Sequence, residues 1–294
     1  LDEGVTADRD DPTPVTPGFS VPLRTVSGPV RVHVWPAADD TGRRPVLFCC
    51  HGWTDSGEAF GPLATALGRR WTLVAPDAPG HGGTPWSQER RYRVADHTET
   101  AVAVLDRLPA VAGHRAGVVA LGHGMGALTA ARLATARPSV VRHVVLEEPA
   151  RTTLRREPSA ASVRQWITGL RDLDHTGAVD AGRRDTPSWP VDELEAWARG
   201  KEQIALAALS VPVDWGEPLV AVLADVSAPV TLVRGDLGLG GTVSAVAARR
   251  CADACRAGCE VVALDAGHHP RREAREPFVA LLASVLGRYE RSWR

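Results

Sequence analysis

From Pro45 onward the chain alternates short, unbroken apolar runs with stretches of helical periodicity, and this alternation limits its fold more than any other feature. The apolar runs fall at 45–50, 72–76, 116–121, 141–147, 229–234 and 259–264, and the helical patterns at 57–69, 97–112, 125–137, 244–257 and 275–289. A run such as Pro45-Val-Leu-Phe-Cys-Cys50 has no polar face, so it reads as a strand covered on both sides. Strands of that kind alternating with helices imply right-handed crossovers and an α/β fold, a mostly parallel central sheet flanked by helices. Ahead of it, 19–26 and 30–35 alternate and read as an antiparallel pair.

The rhythm breaks between 151 and 227, where helix-like stretches are punctuated by Pro, Gly and Trp without a convincing strand. That segment is expected to form a helical cap inserted after the sixth strand, leaving 18–150 and 228–294 as the core domain. Residues 1–17 offer little to bury and read as a flexible tail. The first twenty residues are acidic and show no export signal. Lys and Arg total 34 against 35 Asp and Glu, which argues against a nucleic-acid partner, because neutralising phosphates needs a basic excess. Apolar runs reach about six residues, as at 219–224, far short of the roughly 20 that span a bilayer. Five cysteines, an odd number in a long chain, suit a reducing cytoplasm rather than a disulfide framework. A homo-oligomer is compatible with all of this.

Ligands of open parallel sheets bind beyond the carboxyl ends of the strands, so the turns there are where chemistry is expected. After the third strand, Cys50-His51-Gly52-Trp53 makes a tight turn able to aim the Trp53 N–H at a developing oxyanion. Gly122-His123-Gly124-Met125-Gly126 runs from strand to helix in the frame of a nucleophile elbow, G-x-S-x-G, with glycine at its centre. Ala266-Gly267-His268-His269-Pro270 sets an imidazole on a loop, where it is a candidate general base. Gly235-Asp236 sets a carboxylate at the end of the penultimate strand, where it would fix that imidazole's tautomer.

Together these turns resemble the α/β-hydrolase superfamily from about residue 19 to 290, with elbow, acid and histidine in the chain order of that fold. Ala75-Pro-Asp-Ala-Pro-Gly80-His-Gly-Gly-Thr84 is similar to the family's loop after the fourth strand, and 273–278 to the segment trailing its histidine. The resemblance implies a serine hydrolase of carboxylic esters or lactones. Position 124 would be the nucleophile, His268 the base, Asp236 the acid, and the Trp53 and Met125 amides the oxyanion hole. The family's usual acid position is taken here by Gly238, so Asp236 is read as a variant placement and Glu148, after the sixth strand, as the alternative. Glu147 should point to the opposite side from Glu148. No metal or organic cofactor is implied.

Glycine at 124 has no atom that can attack a carbonyl, so no acyl-enzyme can form there. Two readings compete: a serine hydrolase disabled by substitution and still binding ligand, or a natural small-molecule binder on the same fold. A lesser third is slow hydrolysis by a water that His268 activates, or cofactor-free proton transfer. Trp166, Trp189, Trp197 and Trp215 lie in the cap and suit, with Trp53 and His123, a flat apolar ligand. The stretch 186–201 and Glu147-Glu148-Pro149 look like a branch of bacterial esterases and lactonases that includes enzymes opening the macrolactone zearalenone. A generic ester or a β-diketone C–C bond is the alternative substrate. Cys251, Cys255 and Cys259 read as a half-buried thiol row rather than metal ligands, Cys49 and Cys50 as inert, His81 and His123 as scaffold, and Arg271, Arg272 and Arg275 as a solvated rim.

Overall fold

A computed structural model describes residues 18–25, 28–38, 44–86, 92–108, 117–152 and 159–290; the expected N-terminal tail lies outside them. Eight strands form one sheet: β1 (Phe19–Thr25), β2 (Gly28–Trp35), β3 (Val46–Cys50), β4 (Leu73–Pro76), β5 (Val118–His123), β6 (Val141–Glu147), β7 (Val230–Arg234) and β8 (Cys259–Ala263). Their spatial order is β1-β2-β4-β3-β5-β6-β7-β8. The first two strands are antiparallel to their neighbours and the rest run parallel.

The unbroken apolar runs have a two-sided cause. In β3, Val46, Phe48 and Cys50 face a core built with α2 (Val94–Leu105), α3 (Met125–Ala136), α7 (Leu219–Ala224) and α8 (Ala245–Ala254). The intervening Leu47 and Cys49 face a second core with α1 (Gly61–Ala66) and α9 (Arg275–Glu290). A strand at the centre of such a sandwich tolerates no polar alternation. Burial pushes the Cys50 thiol up to about 12 and that of Cys49 well up, so neither forms a thiolate at neutral pH.

Between β6 and β7 the chain adds α4 (Ala160–Arg171), α5 (His175–Asp185) and α6 (Val191–Gln203). Ser159 and Asp174 cap the first two by accepting from the amides of Ser162 and Gly177. Leu170, Val179, Trp189, Leu194 and Trp197 give this segment a small core of its own. It also holds a short strand that the sequence pattern conceals, Val213–Asp214, parallel to Tyr92–Arg93. The expected helix 57–69 starts as a 3-10 turn at Gly57–Phe60 and stops at Ala66, where Gly68 and Arg69 take φ of 63° and 52°. Likewise α8 ends at Ala254, short of 257, with Cys255 extended and Gly258 at φ 88°. Part of the expected 97–112 helix lies outside the described residues. Among the described residues no helix is long and apolar enough to cross a membrane.

Candidate active site

The turn between β5 and α3 sets the geometry. Gly124 sits at φ 54°, ψ −112°, a region that residues with a Cβ enter only with strain. A Cβ on Gly122 would strike the Gly126 carbonyl, and one on Gly126 the Cys50 carbonyl, so helix and strand approach this closely only because both are glycine. Among the described residues beyond its two chain neighbours, a Cβ on Gly124 meets the His268 ring, 3.7 Å from Nε2 and 3.9 Å from Cε1.

Behind His268 lies Glu148, with Nδ1 3.3 Å from Oε2. Glu148 is fully buried and its backbone takes φ 42°, which turns the side chain off the end of β6 toward the histidine loop. The Gly235 amide donates to Oε1 at 2.7 Å, and the Thr242 amide and hydroxyl donate to Oε2 at 2.6 and 2.8 Å. Burial by itself would raise the Glu148 pKa, but the hydrogen bonds from His268, Thr242 and Gly235 outweigh it and hold the carboxyl below its ordinary value. An ionised carboxylate only accepts, so Nδ1 of His268 carries a proton, and in the neutral ring the Nε2 lone pair is the one toward position 124. Asp236, the preferred acid from sequence, is instead exposed and its Oδ1 accepts from the Gly238 amide at 2.6 Å. It caps a short 3-10 turn, and the carboxylate on His268 is the alternative, Glu148.

The Trp53 and Met125 amides flank the same turn. Met125 opens α3, so its N–H has no acceptor within the helix, and among the described residues no backbone acceptor takes the Trp53 N–H. Two histidines fix that turn. The Ala78 amide donates to His51 Nε2 at 3.0 Å, so His51 Nδ1 donates to the Gly52 carbonyl at 2.8 Å and orients the peptide whose N–H belongs to Trp53. His81 Nε2 lies 2.6 Å from the Trp53 carbonyl. Burial, with His51 beside it, lowers the His81 pKa to about 4. His123, grouped with the ligand-binding residues above, is buried and donates from Nε2 to the His268 carbonyl at 2.9 Å. It braces the histidine loop and does not line a ligand surface.

Of the tryptophans in the inserted segment, Trp215 meets Trp53 edge to face at 5.7 Å. Trp189 and Trp197 are buried in the segment's own core, and Trp189 also packs on His269 at 4.9 Å. Trp166 is exposed on α4. Trp189 and Trp197 hold the segment together, and Trp166 meets Trp197 at 6.1 Å between ring centres.

Arg271 and Arg272, expected at a solvated rim, are each 1% exposed. Arg271 pairs with Glu147 (2.9 Å) and Asp55 (3.4 Å), and Arg272 with Asp55 (3.1 Å) and Glu193 (3.1 Å). Lys201 completes the cluster on Asp55 at 3.0 Å and donates to the Thr54 carbonyl at 2.9 Å. Three buried acids thus balance three buried bases, and α6 supplies one of each: Lys201 to Asp55, two residues after Trp53, and Glu193 to Arg272, four residues after His268. Arg275, also expected at the rim, is half-buried between Asp192 and Glu193. Burial would raise the Asp55 carboxyl, but Arg272, Lys201 and Arg271 hold it well below the usual range. A depressed carboxylate stabilises the fold above its unfolded pKa of about 3.9 and loses that contribution as pH falls through the folded value. Asp55→Asn should therefore flatten the fall in stability below about pH 4, checked by urea unfolding across that range; an unchanged slope would remove Asp55 from the acid response.

The profile of a family described as the alpha/beta hydrolase family matches residues 46–281. The chain is 28% identical over 209 residues to a 2-(acetamidomethylene)succinate hydrolase of Mesorhizobium japonicum, covering 67% of this chain and 72% of that protein. With an esterase of Mycobacterium tuberculosis it shares 26% over 148 residues, 50% of this chain and 44% of that protein. Its fold is similar to that of an N-acyl homoserine lactonase, with TM-score 0.62 at 20% identity, over 92% of this chain and 96% of that one.

Proposed function

The chain belongs to the alpha/beta hydrolase family, and from that premise we propose that it is a carboxylic ester or lactone hydrolase whose elbow lacks the attacking oxygen, so that it binds its ligand and turns it over little or not at all. One observation carries this reading: among the described residues beyond its two chain neighbours, the atoms within 4 Å of a Cβ at Gly124 belong to His268, whose other nitrogen rests on the buried Glu148. A seryl oxygen built there would reach Nε2, with the Trp53 and Met125 amides beside it for the oxyanion. His268 is the base, Glu148 the residue that orients it, and position 124 the nucleophile's place.

The indole edges of Trp53 and Trp215 favour a flat, apolar ligand. A macrocyclic resorcylate lactone such as zearalenone is the specific candidate, and a simple aryl ester its competitor. The same glycine supports a second reading, a binding protein on a hydrolase scaffold, since binding does not need the seryl oxygen. Calorimetric titration of the native chain with zearalenone and with an aryl ester, alongside turnover of both by Gly124→Ser and by Gly124→Ser/His268→Ala, separates these. Turnover that appears with serine and vanishes with the histidine supports the enzyme; tight binding without turnover by Gly124→Ser supports the binder. In the serine background, Glu148→Gln should lower kcat by at least ~10²-fold through the wrong tautomer, whereas Asp236→Asn should change it less than about twofold, as fits an exposed surface charge. The opposite order in steady-state kinetics would return the orienting role to Asp236.

A further inference from the structure

Glycine at the elbow does more than delete a nucleophile, because it leaves the base with its lone pair directed at the place that nucleophile would fill. The Nε2 of His268 lies 3.7 Å from where a Cβ of residue 124 would stand, and among the described residues, the adjoining His123 and Met125 aside, no atom outside that ring comes within 4 Å of that point. The missing CH2OH corresponds to space on the order of one water, which needs two or more polar partners to be held. Nε2 of His268 is one such partner, as acceptor, and the carbonyl group of a bound ester would supply a second, which leaves the Trp53 and Met125 amides for the oxyanion. With Nδ1–H donating to Glu148, the tautomer of the neutral ring that fits this contact leaves Nε2 as the acceptor.

Resting on the functional reading above, we propose that the native chain is a single-step hydrolase, in which His268 activates a water seated against Gly124 for direct attack on the ester carbonyl. The water oxygen bonds to the carbonyl carbon as its proton passes to Nε2, and the carbonyl electrons move onto the oxygen held by the two amides. Collapse re-forms the C=O bond and breaks the bond to the leaving oxygen, which takes the proton back from Nε2. One water is consumed, one acid and one alcohol are released, and no covalent enzyme intermediate forms.

The test uses 4-nitrophenyl butyrate and four purified chains: native, His268→Ala, Gly124→Ala and Gly124→Ser. The native chain should exceed His268→Ala by ~10²-fold in kcat/KM, the low end for general-base assistance. Gly124→Ala puts a methyl where the water would sit and should fall to the His268→Ala level. Gly124→Ser carries the same Cβ, so its activity shows that the strained turn tolerates one and that the alanine result is not misfolding. Intact mass spectrometry during turnover should show an acyl adduct on Gly124→Ser and none on the native chain. A native rate equal to that of His268→Ala, or untouched by Gly124→Ala, overturns the single-step mechanism while an active Gly124→Ser leaves the functional reading standing. Silence of all four chains overturns the functional reading itself.

Discussion

Gly124→Ser should raise kcat/KM for an aryl ester by ~10³-fold or more over the native chain. The figure follows from serine hydrolases in which loss of the nucleophile lowers turnover on the order of 10⁶-fold and leaves ~10³ over water from the oxyanion donors and binding. Here His268 meets Glu148, hydrogen bonds hold that carboxyl below its ordinary value, and the Gly122 and Gly126 contacts already shape the turn. The gain has a stability penalty. Gly124 occupies φ 54°, and a side chain there adds strain of about 1–3 kcal/mol. The serine chain should therefore melt at lower temperature than the native one while acquiring a burst of 4-nitrophenol from acylation. Absence of both burst and steady-state turnover, in a folded variant that still binds ligand, would mean the three loops do not work as a hydrolytic unit.

Arg271→Ala should destabilise the protein by about 3–5 kcal/mol, because it strands two buried carboxylates, Glu147 and Asp55. Thermal unfolding should register a fall on the order of 10 °C. The loss belongs to unpaired charge rather than to lost attraction. Pairing Arg271→Met with Glu147→Leu removes one charge of each sign and leaves Asp55 and Glu193 with Arg272 and Lys201, so it should recover at least half of the deficit. Arg249→Ala, at the exposed Arg249–Asp253 pair, is the control and should change stability by less than about 1 kcal/mol. Equal effects of Arg271→Ala and Arg249→Ala would show that the cluster contributes nothing particular.

The strands and the elbow were legible because their signals are local. The run from Val46 to Cys50 is apolar at every position since alternate residues enter two different cores, and the glycines at 122, 124 and 126 mark a turn that no side chain would fit at two of three places. The acid was not legible. Choosing between Asp236 and Glu148 depends on where a side chain points, and that is set by the φ of 42° at Glu148 and by Thr242, ninety-four positions away. Arg271 and Arg272 were misread for a similar reason. In a chain with 33 Arg and one Lys, adjacent arginines look like surface, and their partners at 55, 147 and 193 are near them only after folding. Only two bonded residues betray the short strand at Val213–Asp214, too few for any period to register.

Lys201 is the chain's sole lysine, and it is buried with its pKa lowered to about 8 by burial, against which Asp55 pulls upward. Its ammonium bridges helix α6 to the turn at residues 54 and 55. An acylating reagent such as an N-hydroxysuccinimide ester therefore has one side-chain target in the whole molecule, sheltered for as long as that helix stays docked. The rate of its labelling is a built-in clock for how often the helix lifts away from the turn at residues 54 and 55.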